Sequence, residues 1–217
     1  MGTITRSFAN NITTSGVLLP ASLTNNSIAN VTAYNAAIAT GGMKLISSQT
    51  ASNSASISFT TGIDSTYKEY QFYFIDINPN NNDTTFEFQC STNGGSTYAT
   101  TITSTSFRAT HDEADTSTSL QYLTALDQAQ GTAFQSITEG IGNGADESSA
   151  GSLQIFNPAS TTYVKHFISS ANKYHHADAS HIYITAGYFN TTSAINAVQF
   201  KFNSGNFDGT ILMYGIV

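Results

Sequence analysis

The chain has 217 residues, a formal net charge of −7 and only 10% charged residues, against roughly 25% in ordinary soluble domains. Its seven Lys and Arg are scattered singly, which excludes the clustered cations that phosphate-backbone binding needs. No apolar run reaches the roughly 18 residues of a membrane-spanning helix, and Cys90, the one cysteine, excludes an intrachain disulfide.

Ser, Thr and Asn make up about a third of the residues and supply a neutral, hydroxyl-rich surface. Hydrophobic content is an ordinary 40%, so a chain of this length can still bury a full core. The opening Met-Gly-Thr-Ile-Thr-Arg-Ser has no apolar h-region, and no secretory signal is expected.

Residues 1–42 differ in composition from the rest of the chain. They hold Asn10-Asn11, one apolar knot at Val17-Leu18-Leu19-Pro20, and an Ala-rich run ending at Gly41-Gly42. Ile28, Val31, Tyr34 and Ile38 fall near helical spacing, but Asn30, Thr32 and Asn35 among them weaken a helix. With too few apolar residues for a core of its own, this segment is expected to be an extended N-terminal arm. Phe8, Val17, Leu18, Leu19, Pro20 and Leu23 are its candidate docking residues.

From Met43 to Val217 the apolar period is two, which predicts an all-β body. Strands are expected at Lys44–Gln49, Ser54–Thr60, Glu69–Asn78 and Thr84–Ser91. Glu69–Asn78 places Tyr70, Phe72 and Phe74 on one face and Tyr73, Ile75 and Ile77 on the other, so it should be central and covered on both sides. In Thr84–Ser91, Phe86, Phe88 and Cys90 should point inward, with Glu87 and Gln89 outward. Thr92-Asn-Gly-Gly-Ser96 is a turn, because Asn and Gly supply positive φ.

Further strands are expected at Tyr98–Ser104, Ser119–Leu126, Phe134–Gly140, Ser152–Phe156, Thr162–Ser169 and His181–Phe189. A closing pair, Ala194–Asn203 and Phe207–Val217, is joined at Ser204-Gly205-Asn206. The closing strand is apolar on both faces, so it should be interior or covered by a neighbouring subunit. His111–Asp115 and Gly142–Ala150 read as polar loops. About a dozen strands at this spacing indicate an antiparallel β-sandwich or jelly roll.

The run Lys44–Phe59, the segments Tyr67–Tyr70 and Phe72–Phe74 with Pro79, and the hairpin Ser91–Tyr98 resemble structural proteins of tailed bacteriophages. The ending Phe207-Asp-Gly-Thr-Ile-Leu-Met-Tyr-Gly-Ile216 is similar to the closing Gly-x-Ile-x-Leu-Tyr-Gly-Ile of such proteins, with Met213 in place of Leu. The likeness spans Lys44 to Ile216. It implies a virion appendage, tail-fibre-like or head-decorating, with a jelly-roll body and often trimeric. The expected partners are other copies of the chain and other virion proteins, and the expected location is the virion exterior.

Several residue groups are candidates for chemistry. Asp76, Asn78, Asn80, Asn82 and Glu87 follow the spacing of a calcium loop, though an Asn-rich hairpin explains the same residues. His175, His176, Asp178 and His181 gather possible transition-metal ligands within seven residues. Adjacent histidines on a strand diverge, so a polar loop is the plainer expectation and no metal is assigned.

His111 with Asp112, Glu113 and Asp115 has no nucleophile beside it in the sequence. Ser170-x-x-Lys173 lacks the companion motifs of its enzyme class. Cys90 shares a face with Phe86 and Phe88 and is expected to be a buried, inert thiol. No catalytic residue and no cofactor is expected. Tyr67, Tyr98, Tyr163 and Tyr174 near loops allow a glycan-binding receptor module as the alternative function.

Overall fold

A computed structural model describes residues 42–217. The arm candidates Phe8, Val17, Leu18, Leu19, Pro20 and Leu23 lie outside the described residues. None of the described residues is helical. Thirteen strands follow in order: β1 (Met43–Ser54), β2 (Ser56–Phe59), β3 (Glu69–Pro79), β4 (Thr84–Ser91), β5 (Ile102–Asp112), β6 (Thr118–Tyr122) and β7 (Ala129–Gly131). Then come β8 (Gln135–Ile141), β9 (Ser149–Phe156), β10 (Lys165–His175), β11 (Ala179–Phe189), β12 (Ala197–Phe202) and β13 (Phe207–Ile216).

The strands form one antiparallel sheet folded into two layers, the expected all-β sandwich. The larger layer runs β1-β13-β3-β9-β10-β11-β5, with β6 and β7 both on the free edge of β5. The smaller layer runs β8-β4-β12-β2. At one seam the layers meet through a single bridge, His175 opposite Ile141. At the other, β1 turns into β2 at Ala55, and Gln49 Nε2 donates to the Ser58 carbonyl at 2.9 Å.

Between the layers lies an aromatic core. The Phe200 ring of β12 has ring neighbours from both layers, Phe72 and Phe74 of β3 at 5.3 Å each and Phe86 of β4 at 6.0 Å. Phe59 and Phe88 close the group at 6.2 and 6.3 Å. Most of these contacts are edge-on or tilted, the arrangement the ring quadrupole favours. Cys90 is fully buried beside them, and desolvation raises its thiol pKa well above the ordinary value. That makes it a packing residue.

Strand β3 is central, between β13 and β9, but it is not covered on both sides. Asp76 adopts a positive φ of 52° and shifts the register between Phe74 and Ile77. This β-bulge turns Ile77 inward to join Tyr70, Phe72 and Phe74, and it leaves Ile75 exposed on the outer face. The facing strand bulges with it at Gly209, where φ is +134° and an added Cβ would stand 2.7 Å from the Asp76 carbonyl oxygen. In β13 Ile211 and Met213 are buried, while Leu212, Tyr214 and Ile216 stand half-buried on the outer face.

Three further expectations change. Gln89 is fully buried instead of pointing outward. Its amide donates to the Thr100, Thr132 and Ala133 carbonyls, so it staples two loops across the back of β4. The strand expected at Tyr98–Ser104 begins at Ile102 and continues to Asp112, taking in His111. The polar stretch His175–His181 is a tight hairpin, with only His176, Ala177 and Asp178 outside strands β10 and β11.

Candidate functional site

Strands β10, β11 and β5 alternate as strands must, and their inward faces become polar towards the His175 end. On β10 the inward series is Phe167, Ser169, Ala171, Lys173. Beside it on β11 come Thr185, Tyr183 and His181, and on β5 Ser106, Arg108 and Thr110, paired rung by rung. Lys165, at the opposite end of the same face of β10, is fully buried too, and its ammonium donates to the Thr191 and Ser193 carbonyls at 3.0 and 2.6 Å.

Lys173 differs. It is 1% exposed, and its Nζ has no hydrogen-bond partner. The nitrogen stands 5.7 Å above the Tyr183 ring, and the Arg108 guanidinium lies 5.8 Å from the same ring. Arg108 pairs with Glu139 at 3.5 Å and donates to the Tyr183 hydroxyl at 3.2 Å. That hydroxyl donates in turn to the Glu139 carbonyl. Burial outweighs attraction by Glu139 and brings the Lys173 amine down to about 7.

Three imidazoles line up here. His175 lies 4.1 Å from His176 and 4.4 Å from His181, centroid to centroid, with the rings tilted by 36° and 31°. Burial first, and the Lys173 charge second, hold His175 at about 4 and His181 at about 3. Both are therefore neutral at pH 7. Among the described residues no group of three or more His, Cys, Asp or Glu is placed to hold a metal ion.

Over this cluster opens a pocket of about 210 Å3, lined by Asp83, Thr85, Arg108, Glu139, Gly140 and His175. It sits at the seam where β8 leaves β10, which is why four separate elements reach it. Gly140 forms part of the wall with φ at +71°. The point where its Cβ would stand is 2.8 Å from Lys173 Nζ, 3.1 Å from Asp83 Oδ1 and 3.3 Å from His175 Cδ2. A larger hollow of about 400 Å3 beside Glu113 and Asp146 also counts Lys173 in its wall. Its Nζ lies beside Gly140 and is itself enclosed.

The other sequence candidates do not assemble. Asn78 donates to the Gly144 and Glu147 carbonyls, Asn80 donates to Asn53, and Glu87 pairs with Lys201 at 3.2 Å on the neighbouring strand. The calcium spacing is thus spent on hairpin contacts. Ser170 and Lys173 point to opposite faces of β10. His111 Nε2, near the end of β5, meets Asp115 of the following turn at 3.0 Å, both side chains exposed. Of the four tyrosines, Tyr67 packs against Tyr70 and over Gly215, Tyr98 reaches over Gly95, Tyr174 donates to Asp178, and Tyr163 is exposed.

The outer face of the large layer carries a second feature. Leu120, Ala109 and Ile182 stand side by side on β6, β5 and β11, followed by the rung Tyr122, Phe107, Ile184. Thr105, Ala186 and Ile168 extend the series onto β10. Leu120 is 74% exposed, and Tyr122, Phe107, Ile182 and Ile168 are exposed as well. Further along the same layer, Met43, Leu45, Tyr73, Leu212 and Tyr214 form another apolar group, with Tyr73 and Tyr214 edge-on at 5.8 Å.

Sequence reasoning passes over Arg108, Glu139, Gly140 and Tyr183 entirely. One signal is present: Lys173 falls in phase with Phe167, Ser169 and Ala171, the inward phase of its strand. Comparison of the chain with family models, with curated proteins and with solved structures gave no match.

Proposed function

We propose that this chain is a non-enzymatic structural component of a bacteriophage virion, a tail-fibre or capsid-decoration appendage. In this reading residues 2–40 dock it to the particle, with Phe8, Val17, Leu18, Leu19, Pro20 and Leu23 as contacts. The β body projects outward and associates with two further copies as a homotrimer. The observation that carries it is the apolar outer face of β6, β5, β11 and β10.

Contiguous exposed apolar rungs of this kind mark interaction surfaces. The outward residues of those rungs include no charged side chain. Copies that each carry −7 repel except where they meet through uncharged surface, which favours self-association over binding to a charged partner. The phage resemblance of Lys44 to Ile216 supports the virion setting. The pocket at Gly140 favours a second reading, a glycan-binding host-receptor module.

Light scattering on the purified chain tests the association. The expected mass is three times that of one chain, falling to a single chain in the double variant Leu120→Lys, Ile182→Lys with its β spectrum unchanged. A wild-type chain that remains monomeric at high concentration removes the role given to the outer face.

A further inference from the structure

We propose that the end of β8, residues 139–141, is an acid-sensitive latch over the buried polar cluster. Seated on β10 and on the Asp83 turn at neutral pH, it lifts when His175 and His181 take up protons, while the rest of the sandwich stays folded. The latch is independent of the outer apolar face and of what the protein binds.

Few contacts hold this end down. His175 opposite Ile141 is the one backbone pair across the seam, whereas β10 pairs with β11 from Lys165 to His175. On its other side β8 is irregularly registered on β4, with shifts on both sides of Phe86. The remaining ties across the seam are side-chain contacts near the limit of hydrogen-bond reach. The Tyr183 hydroxyl donates to the Glu139 carbonyl at 3.3 Å, and Arg108 meets the Glu139 carboxylate at 3.5 Å. His176 Nδ1 lies 3.4 Å from both the Gly140 carbonyl and Asp83. Ile141, fully buried, is the apolar pin.

Beneath the latch, polar side chains outnumber their partners. Lys173, His181 and Thr110 form one rung across β10, β11 and β5. Lys173 Nζ, His181 Nδ1 and Thr110 Oγ1 are each enclosed without a protein partner, and Arg108 Nε on the neighbouring rung is a fourth. Enclosed polar atoms left unpaired oppose the closed state. Gly140 is the cover, since the position of its Cβ would be 2.8 Å from Lys173 Nζ and 3.3 Å from His175 Cδ2. Lifting it lets water reach all of these groups.

Protons act on this balance in one direction. Neutral His175 uses Nδ1 to accept the Ala177 N–H at 3.1 Å, and a proton on that nitrogen removes the bond. The charges facing both rings include Lys173 and Arg108, and His176 lies beside His175 at 4.1 Å. The nearby carboxylates are engaged elsewhere, Asp83 with His176 and Glu139 with Arg108. Glu113 and Asp146 border the hollow on the other flank of Lys173, and Tyr183, raised to about 12 by burial, stays neutral. Neither His175 nor His181 has an ion-pair partner among the described residues. His176 is the exception, because its proton strengthens the pair with Asp83.

Burial first and Lys173 second hold His175 at about 4 and His181 at about 3 in the closed seam. Wetted rings return towards 6.5, so below that pH the open state binds more protons than the closed one. Each histidine then favours opening by up to about tenfold per pH unit. The pocket beside the latch, lined by Glu139 and Gly140, changes with it.

Hydrogen exchange by NMR on the 15N-labelled 217-residue chain tests the latch. Protection factors, corrected for the intrinsic rate at each pH, are compared between pH 7 and 5. The chief probe is the Asp83 amide, which donates to the Ile141 carbonyl at 3.0 Å. Its protection should fall by about ten- to a thousandfold over that range and stay below that of the β3 and β13 amides throughout. Low urea should leave Asp83 exchange unchanged and speed exchange in β3, because a local opening exposes little surface. The double variant His175→Gln, His181→Gln, folded by circular dichroism, should lose the pH response. Asp83 protection that is constant from pH 7 to 5 overturns the latch. So does protection and urea sensitivity equal to that of β3 and β13, which means global unfolding alone, or a pH response that survives in the folded double variant. If the double variant does not fold, the wild-type pH and urea series decide.

Discussion

Replacing Lys173 by Met should make the protein more stable. Lys173 is buried, its amine has no hydrogen-bond partner, and its pKa falls from 10.5 to about 7. At about 1.4 kcal/mol per pKa unit, that depression sets a ceiling of roughly 4–5 kcal/mol on the cost of burying the charge. Met keeps the length of the stem and removes the charge, while the contact of the ammonium with the Tyr183 face, about 0.5–2 kcal/mol, is lost. The expected net gain at pH 7 is about 1–3 kcal/mol.

The pH dependence gives the sharper check. Between pH 7 and 10.5 the unfolded chain keeps a proton on Lys173 that the folded chain has released. Unfolded chains then bind more protons, so wild-type stability rises with pH across that window. Lys173→Met should flatten the rise. Urea denaturation of both proteins across the window reads it directly. A variant with a lower urea midpoint at pH 7, or with the wild-type slope, refutes the view that Lys173 is buried at a cost.

Acid should act through the clustered histidines. His175 and His181 sit at about 4 and about 3 against an ordinary 6.5, so the unfolded chain takes up protons first as pH falls below 6.5. The melting temperature should therefore drop between pH 6.5 and 4, and a flat profile contradicts the depressed pKa values of these rings. Phe200→Ala, at the centre of the aromatic core, should cost about 3–5 kcal/mol in urea denaturation. Gly209→Ala meets both a φ of +134° and the Asp76 carbonyl at 2.7 Å, and should cost about 1–3 kcal/mol in the same assay. EDTA should leave the melting temperature unchanged, and a large drop would restore Asp76, Asn78, Asn80 and Glu87 as ligands.

Where the alternation in the sequence is apolar, the fold is readable. Phe86, Phe88 and Cys90 on β4, and Ile211 with Met213 on β13, face inward as their period-two spacing requires. The β3 strand is legible but one of its faces is not, because a bulge at Asp76 leaves no apolar signature and moves Ile77 to the other side. Strands β5 and β10 run longer than expected since Ser, Thr, His and Asn complete them, and those residues carry no hydrophobic period. Gln89 reads as outward because a polar residue between two apolar neighbours usually faces water. Its burial depends on residues 97–101 and 126–133, which pack over β4 from elsewhere in the chain. The pocket is hidden for the same reason: Asp83, Arg108, Glu139 and His175 come from a turn and three strands that only the seam between the layers brings together.

The virion proposal is tested most directly by labelling virus particles, purified from the host in which the chain is expressed, with an antibody raised against residues 43–217. The expected result is label on the capsid or the tail of wild-type particles. Particles made with residues 2–40 deleted should be unlabelled, with the soluble β body left in the lysate. Wild-type particles that carry none of the protein would contradict a virion role, and normal incorporation of the deleted form would contradict docking through the arm.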